Sequence, residues 1–124
     1  SKVSKNVAIE ILKQDGDILN VDTKNVSVLF SDIRDFTTLS EELKNPKILI
    51  EILNKYMEPM VESITEFNGT VDKFIGDAIM AYWNAPLEVH NHADMAVQSA
   101  LLQLKRLDSL NIELKKEFGI ELSI

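Results

Sequence analysis

The sequence predicts a mixed α/β (α+β) fold, a ferredoxin-like sheet with helices packed on it, in the order β-α-α-β-β-α-β. Short runs of β-branched and apolar residues, bounded by turn residues, recur along the chain and predict strands. Between them lie longer segments in which apolar residues return every three or four positions, as on the buried face of a helix. A split arrangement of strands and helices of this kind is typical of a ferredoxin-like sheet.

Composition limits both the size of the domain and the kinds of function it can have. With 124 residues, the chain forms one small domain or part of one. A hydrophobic content of 45% is enough to build a core, so we exclude a disordered chain. The net charge of −7 argues against non-specific nucleic-acid binding, which needs a basic face. The absence of cysteine excludes disulfides and thiolate metal sites.

The first 25 residues are predicted to form a short amphipathic helix and a connector. Ser4 is a candidate cap, Asp15-Gly16 ends the helix, and a polar stretch follows from Ile18 to Lys24. No apolar run is long enough to span a membrane, and no signal peptide is visible. Because the chain opens on Ser1 without Met, we expect an excised piece whose full-length protein carries membrane or sensor segments.

The first predicted strand leads directly into an acidic residue. The apolar run from Val26 to Phe30 predicts a buried strand, and Asp32 follows it after one serine. A strand that ends in a carboxylate holds that group rigidly at the edge of the sheet, where α/β folds tend to bind ligands. An isolated aspartate at such a position is ordinarily just solvated, so Asp32 needs a partner to indicate a site.

Two helices are predicted between the first strand and the next. A brief helix covers Leu39 to Leu43, and Asn45-Pro46 opens a longer helix with Pro at its first position. Pro59 lies inside this helix and predicts a kink, and Asn68-Gly69 ends it. One apolar face runs along the longer helix, formed by Leu49, Ile52, Leu53, Tyr56, Met57, Met60, Ile64 and Phe67.

A β-hairpin then supplies the partner for Asp32. Two apolar runs, 70–75 and 78–83, flank Gly76-Asp77, so Asp77 is predicted at the tip of the hairpin. If the hairpin lies beside the first strand, Asp32 and Asp77 converge. Two neighbouring carboxylates are costly unless a proton or a cation lies between them, and Mg²⁺ is commonly bound by one or two carboxylates together with substrate phosphates.

The last part of the chain is predicted to be a helix followed by a strand. Asn91 is the expected cap, Gly119 stops the helix, and 120–124 begin a strand. His90 and His92 precede the helix in a polar loop. Two histidines without a third ligand nearby do not indicate a zinc site.

Two of these segments together resemble a known family. The run from Val28 to Thr37 (VLFSDIRDFT) and the hairpin run from Lys73 to Ala78 (KFIGDA) are similar to the class III nucleotidyl cyclase catalytic domain, found in adenylate and guanylate cyclases. The resemblance extends over essentially the whole chain. It implies an N-terminal helix and connector in 1–25, and the N-terminal part of a cytoplasmic catalytic domain, truncated at its C-terminus, in 26–124.

The resemblance implies an enzyme that converts ATP to 3′,5′-cyclic AMP and pyrophosphate. Asp32 and Asp77 would be the catalytic residues and would bind two divalent cations, Mg²⁺ or Mn²⁺, with the backbone carbonyl of Ile33 as a further ligand. One cation would lower the pKa of the attacking hydroxyl, and the other would neutralise the triphosphate.

The resemblance also assigns four substrate-binding residues. The turn containing Asp35, Phe36 and Thr37 would hold phosphate oxygens through its backbone, although many family members have Gly at position 35. Phe36 is equally explained as a core anchor, and Thr37 as a cap of the following helix. Lys73 matches a position that is usually Lys in adenylate cyclases and Glu in guanylate cyclases, which favours ATP; the alternative is an exposed strand lysine.

Family members work as head-to-tail homodimers with the active site at the interface. Their second base-contacting residue and the Asn and Arg that stabilise the transition state lie on later segments, so we expect this chain to carry only the metal-binding half. Two alternatives stay open: a non-catalytic dimerisation or regulatory module, and a guanylate cyclase.

Overall fold

The computed structural model describes residues 23–124, so the predicted helix from Ser4 lies outside the described residues. In this part of the chain, three strands and three helices follow the order β-α-α-β-β-α. The mixed α+β fold class is thereby confirmed. The elements are β1 (Ser27–Ser31), α1 (Phe36–Leu43), α2 (Pro46–Thr65), β2 (Thr70–Ile75), β3 (Ala78–Trp83) and α3 (His92–Phe118).

The strands form an antiparallel sheet in the order β1-β3-β2. β2 and β3 have the predicted bounds, because an alternating apolar pattern on either side of Gly76-Asp77 specifies both the strands and the turn. In the register of the sheet, Ser31 lies opposite Ile79, and Ile75 lies opposite Ala78. The C-terminal end of β1 and the hairpin turn therefore lie at the same end of the sheet.

The core lies between one face of the sheet and the helices α2 and α3. Because side chains alternate along a strand, Ile79, Ala81 and Trp83 of β3 all point to this face, and all are buried. α2 contributes its predicted apolar face, and α3 contributes three leucines. Fully or almost fully buried residues of α2 and α3 are Ile52, Tyr56, Met60, Ile64, Leu107, Leu110 and Leu114.

The opposite face of the sheet is exposed and partly apolar. Val28 and Phe30 on β1 are paired with Tyr82 and Met80 on β3, so the four side chains share this face. Phe30 is 64% exposed and Val28 is 47% exposed, whereas the two β3 residues are partly buried. We call these four residues the open face.

The connection between α2 and β2 requires glycine at position 69. The helix ends at Thr65, Asn68 takes a left-handed conformation with φ 65°, and the Gly69 N–H donates to the Ile64 carbonyl at 3.0 Å. A Cβ at Gly69 would come within 2.6 Å of the Trp83 ring and 2.7 Å of Ile64 Cγ2. Only glycine therefore lets this turn pack directly against Trp83.

The structure corrects three predictions about element ends. α1 begins at Phe36, three residues before the predicted start, because the turn after β1 passes into the helix at once. Thr37 lies inside this helix and Asp35 occupies the N-cap position, so Thr37 is not a cap. Asn91 stands at the start of α3 as predicted, but its side chain makes no capping hydrogen bond.

A fourth correction concerns the end of the chain. Residues 120–124 form no strand, in contrast to the prediction. The side chain of Asn111 donates to the Leu122 carbonyl at 2.9 Å and accepts from the Leu122 N–H at 2.8 Å. The Ser123 carbonyl accepts from the Arg34 N–H at 2.8 Å. These contacts hold the segment against the turn after β1 and take the place of a strand ladder.

Other predicted ends agree with the structure. Asn45 caps α2, since its side-chain oxygen accepts from the N–H groups of Lys47 and Ile48 at 3.2 and 3.3 Å. Gly119 ends α3 in a left-handed conformation with φ 69°. Among residues 23–124, no helix is long and apolar enough to cross a membrane.

Candidate active site

Asp32 and Asp77 lie together at one end of the sheet. Asp32 follows the last residue of β1, and Asp77 lies in the turn between β2 and β3. Their carboxyl groups are close enough to interact, and Asp77 Oδ2 accepts from the backbone N–H of Ile33 at 3.1 Å. The structure thus brings together the two carboxylates that the sequence proposed as partners.

The proximity of the two carboxylates changes the acidity of Asp77. Burial raises the pKa of the Asp77 carboxyl above its ordinary value, and the interaction with the neighbouring Asp32 carboxyl and its negative charge raises it further. The N–H of Ile33 acts in the opposite direction, because it stabilises the charged form. A pair of this kind takes up a proton readily, and a cation placed between the two groups would displace that proton.

Tyr56 lies beneath this pair and was not recognised as a site residue from the sequence. Its side chain is fully buried, and its hydroxyl lies 3.3 Å from Ser31 Oγ. Burial raises the pKa of Tyr56, the hydrogen bond to Ser31 lowers it, and the charges of Asp77 and Asp32 raise it again. The available signal was the one hydroxyl among the residues predicted to form the apolar face of this helix, but only the fold shows which strand that hydroxyl meets.

The donors at this site suit a hard divalent cation. Among the described residues, no group of three or more His, Asp or Glu side chains is gathered in a way that could hold a metal ion. The pair Asp32 and Asp77 offers carboxylate oxygens, and the Ile33 peptide lies against it. Mg²⁺ usually keeps several water ligands and takes one or two carboxylates plus substrate phosphates. The residues therefore fit a cation that a nucleotide would help to coordinate.

The predicted phosphate-binding turn leads into the N-terminus of α1. Asp35 occupies the N-cap position with φ 53° and ψ 33°, and Phe36 and Thr37 are the first two residues of the helix. The N–H groups of a first helical turn have no partner within the helix, and they favour anions. Phe36 is half-buried and packs against the core, so the predicted anchoring of the turn by this ring is confirmed.

Lys73 is not brought to the carboxylate pair. It lies on β2 opposite Met80, at an irregularity in the strand pairing between Val71 and Lys73. Its side chain is 57% exposed, and Nζ lies 3.4 Å from Asp72 Oδ2. Its position opposite Met80 places it on the same side of the sheet as the open face.

The chain is similar to proteins of known type. A family model described as the adenylate and guanylate cyclase catalytic domain matches residues 19–124. Adenylate cyclase 1 of Rhizobium meliloti is 34% identical over 105 residues, which cover 78% of this chain and 16% of that protein. The adenylate cyclase of Anabaena cylindrica is 36% identical over 97 residues, covering 78% of this chain and 18% of that protein.

Solved cyclase structures share the fold. The adenylyl cyclase CyaB from P. aeruginosa has a TM-score of 0.73 at 32% identity, over 79% of this chain and 51% of that one. The guanylyl cyclase Cya2 has a TM-score of 0.75 at 33% identity, over 81% of this chain and 50% of that one. The chain thus spans about half of these solved chains and less than a fifth of the two curated relatives. The family match, the relatives and the shared fold together show that this chain belongs to the adenylate and guanylate cyclase catalytic domain family.

Proposed function

We propose that this chain is the metal-binding half of an adenylate cyclase catalytic domain, which converts ATP to 3′,5′-cyclic AMP and pyrophosphate. The observation that carries the proposal is the Asp32–Asp77 pair, which two separate elements deliver to one end of the sheet. Two carboxylates held this close raise each other's affinity for a positive charge. In the proposed division of the chain, residues 1–25 form a helix and connector, and residues 26–124 form part of a cytoplasmic catalytic domain.

In the proposed site, Asp32, Asp77 and the carbonyl of Ile33 hold two divalent cations, Mg²⁺ or Mn²⁺. When bound, these ions would lower the pKa of the attacking 3′-hydroxyl and neutralise the triphosphate. The contribution of the protein is mainly to position charged groups, which is what phosphoryl transfer chiefly requires. The buried side chain of Ile33 anchors the segment in the core, which supports this role.

The phosphates would meet the N-terminus of α1. The free N–H groups of Phe36 and Thr37 in the first turn of this helix would donate to phosphate oxygens. Asp35 lies at the same helix end with an exposed side chain. Its negative charge opposes a triphosphate, so the backbone of this turn, rather than its side chains, would make the contacts.

We propose that the working enzyme is a homodimer with its active site at the interface between two copies. Lys73 supports this arrangement, because it lies on the same side of the sheet as the open face and pairs with Asp72 rather than with the carboxylates Asp32 and Asp77. The exposed apolar side chains of Val28 and Phe30 on that face would be covered by the second copy.

Lys73 is proposed to select ATP. We expect Lys73→Glu to weaken binding of a non-cyclisable ATP analogue at least about tenfold, because an ammonium donor to the adenine ring is replaced by a carboxylate. Binding of the corresponding GTP analogue should improve. Calorimetry with Mn²⁺ present measures both affinities, and Lys105→Glu, an exposed lysine on α3, is the charge-matched control. An unchanged preference in Lys73→Glu would mean that Lys73 does not select the base. A wild-type chain that binds the GTP analogue more tightly than the ATP analogue would favour the second candidate, guanylate cyclase, which the similarity to Cya2 also supports.

Calorimetric titration of the wild-type chain with Mn²⁺ and the ATP analogue tests the proposed function itself. We expect binding, but we expect little or no cyclic AMP formation by the 124-residue chain. The chain spans about half of the solved cyclases that it matches. The resemblance to the family implies that the transition-state residues lie on later segments. Robust cyclic AMP formation would contradict the assignment of this chain as a half-site. A folded chain that binds neither metal nor nucleotide would favour the non-catalytic regulatory module.

A further inference from the structure

A buried hydrogen bond joins α2 to the end of β1, directly beneath the carboxylate pair. Tyr56 reaches across from the middle of α2, and its hydroxyl lies 3.3 Å from Ser31 Oγ. Both residues are buried, with exposed fractions of 0% for Tyr56 and 8% for Ser31. Water therefore does not replace this bond when it is lost.

The residues around this bond show that the hydroxyl is not required for packing. The other large side chains that α2 buries are hydrocarbon or thioether groups, namely Ile52, Met60 and Ile64. A phenylalanine would fill almost the same volume as Tyr56 without introducing a polar atom into the core. The hydroxyl is aimed at the one strand position that precedes the proposed metal ligand Asp32.

The segment Ser31-Asp32-Ile33 is thus held on both sides of Asp32. On one side, the Ser31 side chain bonds to Tyr56 on α2; on the other, the Ile33 N–H donates to Asp77 Oδ2 at 3.1 Å. Because Asp32 lies between two anchored neighbours, its backbone cannot rotate without breaking one of these bonds. The second bond also holds Asp77, so the same short segment positions both carboxylates.

We propose that Tyr56 is a positioning residue, whose hydroxyl, acting through Ser31, holds the end of β1 so that the Asp32 and Asp77 carboxylates face the same cation. The proposal rests on the proposed function, because it concerns the metal site of that function. Groups that orient metal ligands typically change metal affinity by about 10- to 100-fold when they are removed.

The test compares Tyr56→Phe, Ser31→Ala and the double variant with the control Ser99→Ala. Ser99 is a fully buried serine of α3 whose hydroxyl accepts from Gln103 Nε2 at 3.4 Å, so the control also removes a buried hydrogen bond but away from the carboxylate pair. Mn²⁺ affinity is measured by calorimetry with the non-cyclisable ATP analogue present, at a temperature where every variant is folded. We expect about tenfold weaker Mn²⁺ binding in Tyr56→Phe and in Ser31→Ala, and no change in Ser99→Ala. The double variant should lose no more than either single one, because both remove the same bond.

Amide NMR spectra of the metal-free protein give a second readout that does not depend on catalysis or binding. We expect Tyr56→Phe to shift the amide signals of Asp32, Ile33 and Asp77, and Ser99→Ala to leave them unchanged. Unshifted signals overturn the proposal, as do shifted signals with unchanged Mn²⁺ affinity. If the wild-type chain binds no Mn²⁺, the proposed function fails, and the amide spectra still decide whether Tyr56 holds the two carboxylates.

Discussion

Asp32→Asn and Asp77→Asn should each abolish Mn²⁺-dependent binding of a non-cyclisable ATP analogue. Each change removes one of the two negative charges of the pair while keeping the shape of the side chain. We expect the loss to exceed about 100-fold, because a direct ligand contributes more than the outer groups that orient it. Calorimetry of the wild-type chain and of both variants measures the effect. Asp108→Asn, an exposed aspartate on α3, is the matched control and should bind as the wild type does.

The same variants should remain folded, which separates a lost ligand from a lost structure. The pKa of Asp77 lies above its ordinary value, so its charged form is disfavoured in the folded chain relative to the unfolded one. Asparagine carries no charge and can still accept from the Ile33 N–H. We therefore expect the free energy of unfolding of Asp77→Asn, measured by urea denaturation at neutral pH, to equal or exceed that of the wild type. Any gain should disappear at low pH, where the carboxyl is protonated in both states.

Two outcomes would contradict the metal site. If both asparagine variants bind the analogue as tightly as the wild type, neither carboxylate is a ligand. If they lose binding and also unfold at markedly lower urea, the pair has a structural role. Marginally unfavourable charge pairs at a fold's surface are expected where function, rather than stability, requires them.

The sequence predicted the parts of the fold that depend on local patterns. The bounds of β2 and β3 were correct because strand alternation and a Gly-Asp turn are encoded within 14 consecutive residues, 70–83. The start of α2 at Asn45-Pro46 was also correct, since the preference of proline for the first helical position is a local signal. The approach of Asp32 to Asp77 followed from a further assumption, that the hairpin pairs with the first strand.

The features that the sequence missed depend on distant partners. Residues 120–124 have the composition of a strand, but the Asn111 side chain and Arg34 take up the backbone groups of Leu122 and Ser123. The role of Tyr56 was hidden for the same reason, because its partner Ser31 lies 25 positions earlier in the chain. Neither contact is visible in the order of the residues alone.

Trp83→Ala should cause the largest loss of stability. Trp83 is fully buried, lies against Gly69 and Ile64, and donates from Nε1 to the Phe67 carbonyl at 2.9 Å. Removing an indole from a core typically costs about 3–5 kcal/mol in the free energy of unfolding. Since small domains have only about 5–15 kcal/mol in total, this variant should be close to unfolded. Urea denaturation followed by far-UV circular dichroism measures the loss, because the variant retains no tryptophan for fluorescence.

Two further variants show where that stability arises. Trp83→Phe keeps an aromatic ring but leaves the Phe67 carbonyl without its donor. We expect the lost hydrogen bond to lower the free energy of unfolding by about 1–3 kcal/mol, in addition to the cost of the smaller ring.

Phe30→Ala removes an aromatic side chain from the opposite face of the same sheet, where it is 64% exposed, and should lower the free energy of unfolding by less than about 1 kcal/mol. If Phe30→Ala costs as much as Trp83→Ala, the open face is already covered in solution. Only a second copy or another segment of the chain could cover the open face. A large loss of stability in Phe30→Ala would therefore be evidence that one of them packs there.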